Sequence, residues 1–294
     1  MKKALRFSGK VGTLASEEED TPVATDGEVA LKKDKYKNMR GDSKLKTTQF
    51  DSDVLIEESG GKYIAVFDPL DGSSNVDAGI PTGTIFGIFT EDPDAVCSLD
   101  DDSAVNCLLN TLQPGNALVA SGYCLYSSST FLCLTLGSGV NIFTLDRSIG
   151  EFVLTHPNVK IPTRGAIYSF NEANRLEWEK PLQAFIQNLQ AGTNESKKTY
   201  SSRYIGSMVG DVHRTLLYGG IFGYPATIKN PNGKLRLLYE AAPMSFLMEQ
   251  AGGKSTTGKE RVMTIKPSHV HQRVPCMLGS PEDIDELLKY YNKN

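Results

Sequence analysis

Two aspartates, Asp68 and Asp71, are separated by one proline and one leucine and are followed by Gly72-Ser73-Ser74. The apolar run 63–67 before them predicts a buried strand, with the aspartates in a tight turn behind it. Carboxylates at a strand end are ligands for hard cations, and exposed backbone N–H groups of small residues bind anions. The pattern therefore indicates Mg²⁺ brought to a phosphate, although a turn without chemistry is the commoner meaning of such a string.

Two other predicted strands also end in acids. The run 11–15 precedes Glu17 and Glu18, and the run 234–239 precedes Glu240. Three strand ends that each deliver carboxylates would form a multi-metal site, and two metal ions can hold the attacking and leaving oxygens of a phosphoryl transfer. A solvated acidic loop remains the alternative for residues 17–20.

A group of cations and tyrosines between residues 203 and 236 fits a sugar phosphate. Arginine binds phosphate with paired hydrogen bonds, lysine supplies a point charge, and tyrosine hydroxyls suit a sugar. Alternate residues of a strand share one face, so Lys234 and Arg236 are predicted to point the same way as Glu240. A solvated charged surface is the alternative. The group comprises Arg203, Tyr204, Arg214, Tyr224, Lys229, Lys234 and Arg236.

Composition excludes several classes of protein. The 294 residues carry a net charge of −4, which argues against nucleic-acid binding. No apolar run reaches the length of a membrane span, and no P-loop or Ser/His/Asp pattern occurs. Five cysteines without a CxxC pair argue against a zinc site. Cys97 and Cys107 flank an acidic loop and are either ordinary thiols or a pair that can open and close.

The periodicity predicts a mixed α/β and α+β protein. We divide it into an N-terminal α+β domain, 1–158, and a C-terminal α/β domain, 159–294. The first domain contains an insertion, 20–61, and the cysteine loop, 91–116. Strands are predicted at 117–126, 130–136, 140–145 and 151–154, and helices at 176–189, 203–218, 240–252 and 282–291.

In this order along the chain, four motifs resemble the fructose-1,6-bisphosphatase family. The resemblance runs from about Ala4 to the C-terminus, interrupted by 20–61, and implies a layered α-β-α-β-α sugar-phosphatase fold. The motifs are Leu14-Ala15-Ser16-Glu17-Glu18, Phe67-Asp68-Pro69-Leu70-Asp71-Gly72-Ser73-Ser74-Asn75, Arg203-Tyr204-Ile205-Gly206-Ser207-Met208 and Asn232-Gly233-Lys234-Leu235-Arg236-Leu237-Leu238-Tyr239-Glu240.

The resemblance implies Mg²⁺-dependent hydrolysis of the 1-phosphate of fructose 1,6-bisphosphate, with two or three ions per site. Glu17, Glu18 and Asp68 would be catalytic, and Glu18 would help to activate water. The implied metal ligands are Glu17, Glu18, Asp68, the Leu70 carbonyl, Asp71 and Glu240. The implied substrate contacts are Gly72, Ser73, Asn171, Arg203, Tyr204, Met208, Tyr224, Lys234 and Arg236.

The resemblance also implies regulation and partners. Cys97 and Cys107 stand where the plastid, thioredoxin-regulated branch carries its regulatory disulfide, so oxidation would switch activity off. Arg203 matches an arginine that reaches into a neighbouring subunit, which implies a homo-oligomer, a tetramer by resemblance. The implied compartment is the plastid stroma, with the cytoplasm as alternative. A sedoheptulose-1,7-bisphosphatase is the alternative substrate class.

Some positions depart from the family pattern. The chain begins later than that pattern does, so one acid near the metals has no counterpart, and Thr90 and Asn174 replace a family arginine and tyrosine. We expect AMP control to be lost and catalysis by this chain alone to be weakened or absent. A binding-only or weakly active paralogue is the corresponding alternative.

Overall fold

The computed structural model describes residues 11–17, 54–56, 63–91 and 111–292. Glu18, Cys97, Cys107 and most of the predicted insertion lie outside the described residues, so the predictions made for them stay predictions. Within these residues, the strands form a sheet of eight, a sheet of five and a ribbon of two.

The larger sheet contains eight strands in the order β2-β1-β3-β4-β5-β6-β7-β8. The strand β1 runs parallel to β3, and every other neighbouring pair is antiparallel. From β3 onwards the sheet is a meander, in which each strand pairs with the next one along the chain. The strands are β1 Val11–Ser16, β2 Val54–Ile56, β3 Tyr63–Asp71, β4 Thr82–Thr90, β5 Leu118–Tyr126, β6 Thr130–Thr135, β7 Val140–Asp146 and β8 Glu151–Val159.

A second sheet of five strands has the order β10-β9-β11-β15-β13, and β12 and β14 form a separate ribbon. These strands are short: β9 Ile167–Ser169, β10 Ser201–Ser202, β11 Ile221–Tyr224, β12 Leu235–Arg236, β13 Lys254–Thr256, β14 Arg273–Val274 and β15 Cys276–Gly279. The α-helices are α1 Lys180–Ala191, α2 Met208–Tyr218, α3 Ala242–Gln250 and α4 Pro281–Tyr291.

The helix α3 lies in the centre of the fold and is buried on every side along 242–248. It packs across β4 and β5, where the hydroxyl of Ser121 donates to the Pro243 carbonyl at 3.0 Å. The main hydrophobic core gathers around it, while α1 and α4 enclose a second core with Phe170 and Trp178. Alternating sheets and helices confirm the predicted mixed class, and the division at residue 158 stays a prediction.

Three element boundaries differ from the predictions in ways that affect the site. The strand β3 continues through Asp71, so both aspartates lie within a strand with an irregular register and not in a turn behind it. Residues 203–207 are not helical, because Gly206 has a φ of +82° and α2 begins only at Met208. The run 234–239 is not one strand either. The strand β12 ends at Arg236, and a π-helical turn, Leu237–Ala241, follows it and leads into α3.

Other bounds differ less. The predicted helix 176–189 begins instead at Lys180, since Pro181 starts the helix and a 3₁₀ turn precedes it. The strand predicted at 151–154 extends to Val159. No helix among the described residues has the length and apolar character that a membrane span requires.

Candidate metal and sugar-phosphate site

Three carboxylates converge at one edge of the larger sheet. Oxygen atoms of Glu17, Asp68 and Glu240 lie within 4.8 Å of one another. The strands β1 and β3 are parallel, and Ser16 at the end of β1 lies opposite Phe67 of β3. The residues that follow these two, Glu17 and Asp68, therefore lie side by side. Glu240 arrives from the π-helical turn, and such turns are common at functional sites. Oxygen ligands of this kind fit a hard cation such as Mg²⁺.

The negative charges of this acidic cluster repel one another. Burial, followed by the charges of Glu17, Glu240 and Asp71, raises the pKa of Asp68 to about 9. Burial also raises the pKa of Glu240 to about 8 and that of Asp71 to about 6. Like charges in a low-dielectric setting disfavour ionisation unless a cation compensates them. The donor set therefore fits a divalent cation electrostatically as well as chemically.

Asp71 is held from the second half of the molecule. Its Oδ2 accepts a hydrogen bond from the Val209 backbone N–H at 3.2 Å, and the Met208 N–H also contributes. Both amides lie in the first turn of α2, where a helix presents free N–H groups and the positive end of its dipole. The helix thus fixes one acidic side chain of the larger sheet.

The irregular part of β3 is fixed by two further hydrogen bonds. The Leu70 N–H donates to Oδ1 of Asp68 at 2.9 Å, and the hydroxyl of Thr84 donates to the Pro69 carbonyl at 2.8 Å. The register of β3 against β4 shifts between Asp68 and Asp71. A bulge of this kind changes the direction of the side chains that follow it, here the second aspartate.

Arg236 lies against the acidic cluster. Its Nη2 is 2.7 Å from Oε1 of Glu17, and its Nη1 is 3.8 Å from Oε1 of Glu240. Its backbone N–H donates a short hydrogen bond to the Glu240 carboxylate. One arginine therefore partly compensates the acids that β1 and the π-helical turn bring together.

The glycine-serine segment behind Asp71 forms a tight 3₁₀ turn, Ser73–Asn75. Gly72 precedes it with a φ of +79°, a left-handed conformation that residues with a Cβ rarely adopt. The Asn75 N–H closes the turn onto the Gly72 carbonyl at 2.8 Å, and Ser73 is exposed. Small, exposed residues in such a turn suit close approach of an anion to the backbone.

A narrow cleft lies between β11 and the 3₁₀ turn at 172–177. Its lining includes Asn171, Trp178, Tyr224 and Lys234. The hydroxyls of Tyr204 and Tyr224 share a hydrogen bond of 2.8 Å. Amide, hydroxyl and ammonium groups around an aromatic wall are appropriate for a phosphorylated sugar.

The cleft and the acidic cluster influence each other electrostatically. Burial is the main cause of the raised pKa of Tyr224, and the charges of Asp71, Asp211 and Glu240 raise it further. Only Leu235 separates Lys234, which lines the cleft, from Arg236, which contacts the acids. The two groups of side chains therefore form one continuous site.

The structure brings most of the predicted site residues together, but not all of them. The side chain of Met208 lies in the hydrophobic core, and Arg203 is exposed, with Nη1 donating to the Ser202 carbonyl at 3.1 Å. Lys229, grouped with the phosphate-binding cations by sequence, forms an ion pair with Glu177 instead.

Sequence reasoning missed the buried carboxylate of Asp211 and the side chain of Asn75, which both contact the 203–207 loop. Asp211 shares one face of α2 with Met208, Val212 and Thr215, all of which are buried. An aspartate within an apolar helical stripe was the available signal, because a buried charge requires partners.

Comparison with known proteins agrees with this geometry. Residues 42–157 match the model of the fructose-1,6-bisphosphatase N-terminal domain, and 161–292 match that of the C-terminal domain. Chloroplastic fructose-1,6-bisphosphatase of Brassica napus is 51% identical over 97% of this chain, and fructose-1,6-bisphosphatase 1, chloroplastic, of Arabidopsis thaliana is 50% identical. The chain spans 63% of the length of each of these two relatives.

A solved structure extends the comparison. The crystal structure of Leishmania major fructose-1,6-bisphosphatase in holo form has a TM-score of 0.81 and 40% sequence identity to this chain. The match covers all of this chain and 78% of the Leishmania chain. Together with the two family models, this similarity shows that the chain belongs to the fructose-1,6-bisphosphatase family.

Proposed function

We propose that the protein hydrolyses the 1-phosphate of fructose 1,6-bisphosphate, which gives fructose 6-phosphate and phosphate. The observation that carries the proposal is the convergence of Glu17, Asp68 and Glu240 beside the tyrosine-lysine cleft. The acids fit a cation that binds one phosphate, while Lys234 lies where it can bind the second.

Each group of residues has a separate task in this proposal. Glu17, Asp68, Asp71, Glu240 and the Leu70 carbonyl hold Mg²⁺, which supplies charge neutralisation and a more acidic water when bound. Gly72 and Ser73 bind the 1-phosphate through their backbone. Glu18, outside the described residues, is expected to accept a proton from the attacking water. The remaining substrate contacts on this protomer are Asn171, Tyr204, Tyr224, Lys234 and Arg236, whereas Met208 is buried in the core and Arg203 is left to serve a neighbouring subunit.

We extend the proposal to regulation, assembly and compartment. The relatives are named as chloroplastic proteins, which supports a plastid location. A Cys97–Cys107 disulfide, reduced by thioredoxin, would then control activity. Arg203 is exposed on this protomer, as an arginine that serves a neighbouring subunit of a homo-oligomer must be.

The test is phosphate release from fructose 1,6-bisphosphate with Mg²⁺, with and without a dithiol reductant, and sedoheptulose 1,7-bisphosphate in parallel. Activity on the fructose substrate supports the proposal, and activity that requires reduction supports the disulfide switch. Preference for the seven-carbon substrate would replace the proposed substrate. No release from folded protein in either redox state would overturn the proposed activity.

A further inference from the structure

The loop 203–207 connects the two halves of the candidate site. It carries Tyr204, whose hydroxyl is hydrogen-bonded to that of Tyr224 in the cleft. At its other end, the Asn75 side-chain amide donates to the Gly206 carbonyl at 2.9 Å, which ties the loop to the glycine-serine turn. The buried Ser207 Oγ lies 3.6 Å from the position that a Cβ on Gly72 would take. The position of this loop therefore sets the distance between the two ends of the substrate pocket.

The carboxylate of Asp211 accepts hydrogen bonds from the backbone of loop 203–207. Asp211 is fully buried, and its Oδ2 accepts the backbone N–H groups of Ile205 at 3.1 Å and Gly206 at 3.0 Å. Its Oδ1 accepts the Ser169 hydroxyl at 2.8 Å and Nη2 of Arg214 at 2.7 Å. Charge-assisted hydrogen bonds of this kind are about twice as strong as neutral ones.

Arg214 completes the arrangement. The same Nη2 atom that contacts Asp211 donates to the Arg203 carbonyl at 2.7 Å. Gly206 has a left-handed backbone with a φ of +82°. In this conformation its N–H donates a hydrogen bond to Asp211, and its carbonyl accepts one from Asn75. Both ends of the loop are thus held by hydrogen bonds, the Arg203 carbonyl by Arg214, and Gly206 by Asp211 and Asn75.

We propose that Asp211, with Arg214, is a positioning residue for substrate: it fixes loop 203–207 so that Tyr204 and the glycine-serine turn are spaced for a bisphosphate. The inference rests on the proposed function. Removal of the Asp211 charge should weaken substrate binding while leaving the side chains of Glu17, Asp68, Asp71 and Glu240 in place. A rise in KM that exceeds any loss of kcat is the signature of such a role.

The chain offers a matched control in Asp283. This aspartate is also fully buried, and it accepts hydrogen bonds from the Tyr200 hydroxyl at 2.7 Å, the Gly165 N–H at 3.0 Å and Arg164 at 3.4 Å. It belongs to α4, away from the acidic cluster. The substitutions Asp211→Asn and Asp283→Asn therefore disturb similar networks, and only the first one contacts the loop.

The experiment measures kcat and KM for fructose 1,6-bisphosphate in both variants. We expect Asp211→Asn to raise KM about tenfold, which corresponds to about 1.4 kcal/mol, with kcat changed less than KM. Asp283→Asn should leave KM unchanged. Should Asp211→Asn fail to fold, Arg214→Gln serves in its place, and Arg214→Lys should restore part of the lost affinity. An unchanged KM in Asp211→Asn or Arg214→Gln, or an equal rise in Asp283→Asn, would overturn the proposal.

Amide hydrogen exchange separates failure of this inference from failure of the proposed function. If the wild-type protein releases no phosphate, the proposed function has failed, and exchange at Ile205 and Gly206 decides the role of Asp211. Faster exchange at these two amides in Asp211→Asn, but not in Asp283→Asn, supports the positioning role. Equal exchange in wild type and both variants contradicts it.

Discussion

The guanidinium of Arg236 and the carboxylate of Glu17 form an ion pair, with Nη2 2.7 Å from Oε1. The pair joins the short strand β12 to the end of β1, and Glu240 lies on its other side. In the proposed function, the arginine would compete with a metal ion for the same acids, while Lys234, two residues earlier, lines the cleft. Its charge would then affect metal binding and substrate binding in opposite directions.

Replacement of Arg236 by glutamine should separate these two effects. We expect the Mg²⁺ concentration for half-maximal activity to fall several-fold, because a competing cation is removed. The KM for fructose 1,6-bisphosphate should rise about tenfold, because a phosphate-binding charge is lost. Lys229→Gln, which removes an exposed lysine paired with Glu177, is the control. A rise in both constants would show that Arg236 does not oppose the metal.

Asp68→Asn should abolish turnover while leaving the fold intact. Asparagine keeps the shape and an acceptor for the Leu70 N–H, but it removes the charge at the centre of the acidic cluster. We expect kcat to fall about a thousandfold or more, and the Mg²⁺-dependent gain in the free energy of unfolding to disappear. Thermal unfolding with and without Mg²⁺ measures the second effect.

Asp77→Asn is the control for that experiment, since Asp77 is exposed and follows the same glycine-serine turn. It should retain both turnover and the response to Mg²⁺. Persistence of Mg²⁺ stabilisation in Asp68→Asn would mean that the cation binds elsewhere.

His213 should make the protein less stable in mild acid. It packs 5.1 Å from Phe131, centroid to centroid, and shares a hydrogen bond of 2.7 Å with the Tyr123 hydroxyl. Burial, with a smaller effect from His156, lowers its pKa from 6.5 to about 4. Between pH 4 and pH 6.5, this histidine is therefore protonated in the unfolded chain but neutral in the folded protein. The stability that is present above pH 6.5 is lost as the pH falls towards 4.

The loss between pH 7 and pH 5 should be about 2 kcal/mol from this one group. Urea unfolding at the two pH values measures it, and His213→Gln should reduce the difference by that amount. His269→Gln removes an exposed histidine and should leave the difference unchanged. Identical pH dependence in wild type and His213→Gln would contradict the assignment.

Arg164 should be important for stability and not for catalysis. Its guanidinium contacts the buried carboxylates of Glu286 at 2.5 Å and Asp283 at 3.4 Å. Replacement by methionine leaves two buried acids without their cation and should cost about 3–5 kcal/mol. Lys254→Met breaks an exposed ion pair with Asp285, which lies on α4 like Asp283 and Glu286. This change should lower the free energy of unfolding by less than about 1 kcal/mol. Equal losses in urea unfolding would refute the distinction.

The sequence was most informative where local pattern determines structure. The sequence pattern predicted the strands that became β5 to β8 but not their order in the sheet. Glu17 was predicted after the correct strand, whereas Asp68 and Asp71 were predicted in a turn and lie within β3. The strand predicted at 234–239 before Glu240 was wrong beyond Arg236, since a π-helical turn has no distinct periodicity in so short a segment.

The partners of buried polar groups could not be predicted. The contact between Asp211 and Gly206 depends on a glycine with positive φ and on the packing of α2 against β9, which no local pattern encodes. The same holds for the pairing of Lys229 with Glu177. Tertiary packing, and not propensity, determines such contacts.

The acidic cluster takes one ligand from the first strand of the described chain and another from a turn more than two hundred residues later. Contacts between such distant segments form late in folding, because a long loop must close before they stabilise the chain. The acidic cluster therefore forms only when folding is nearly complete. A chain still on the ribosome, with Glu17 already synthesised but Glu240 not yet made, cannot assemble this cluster.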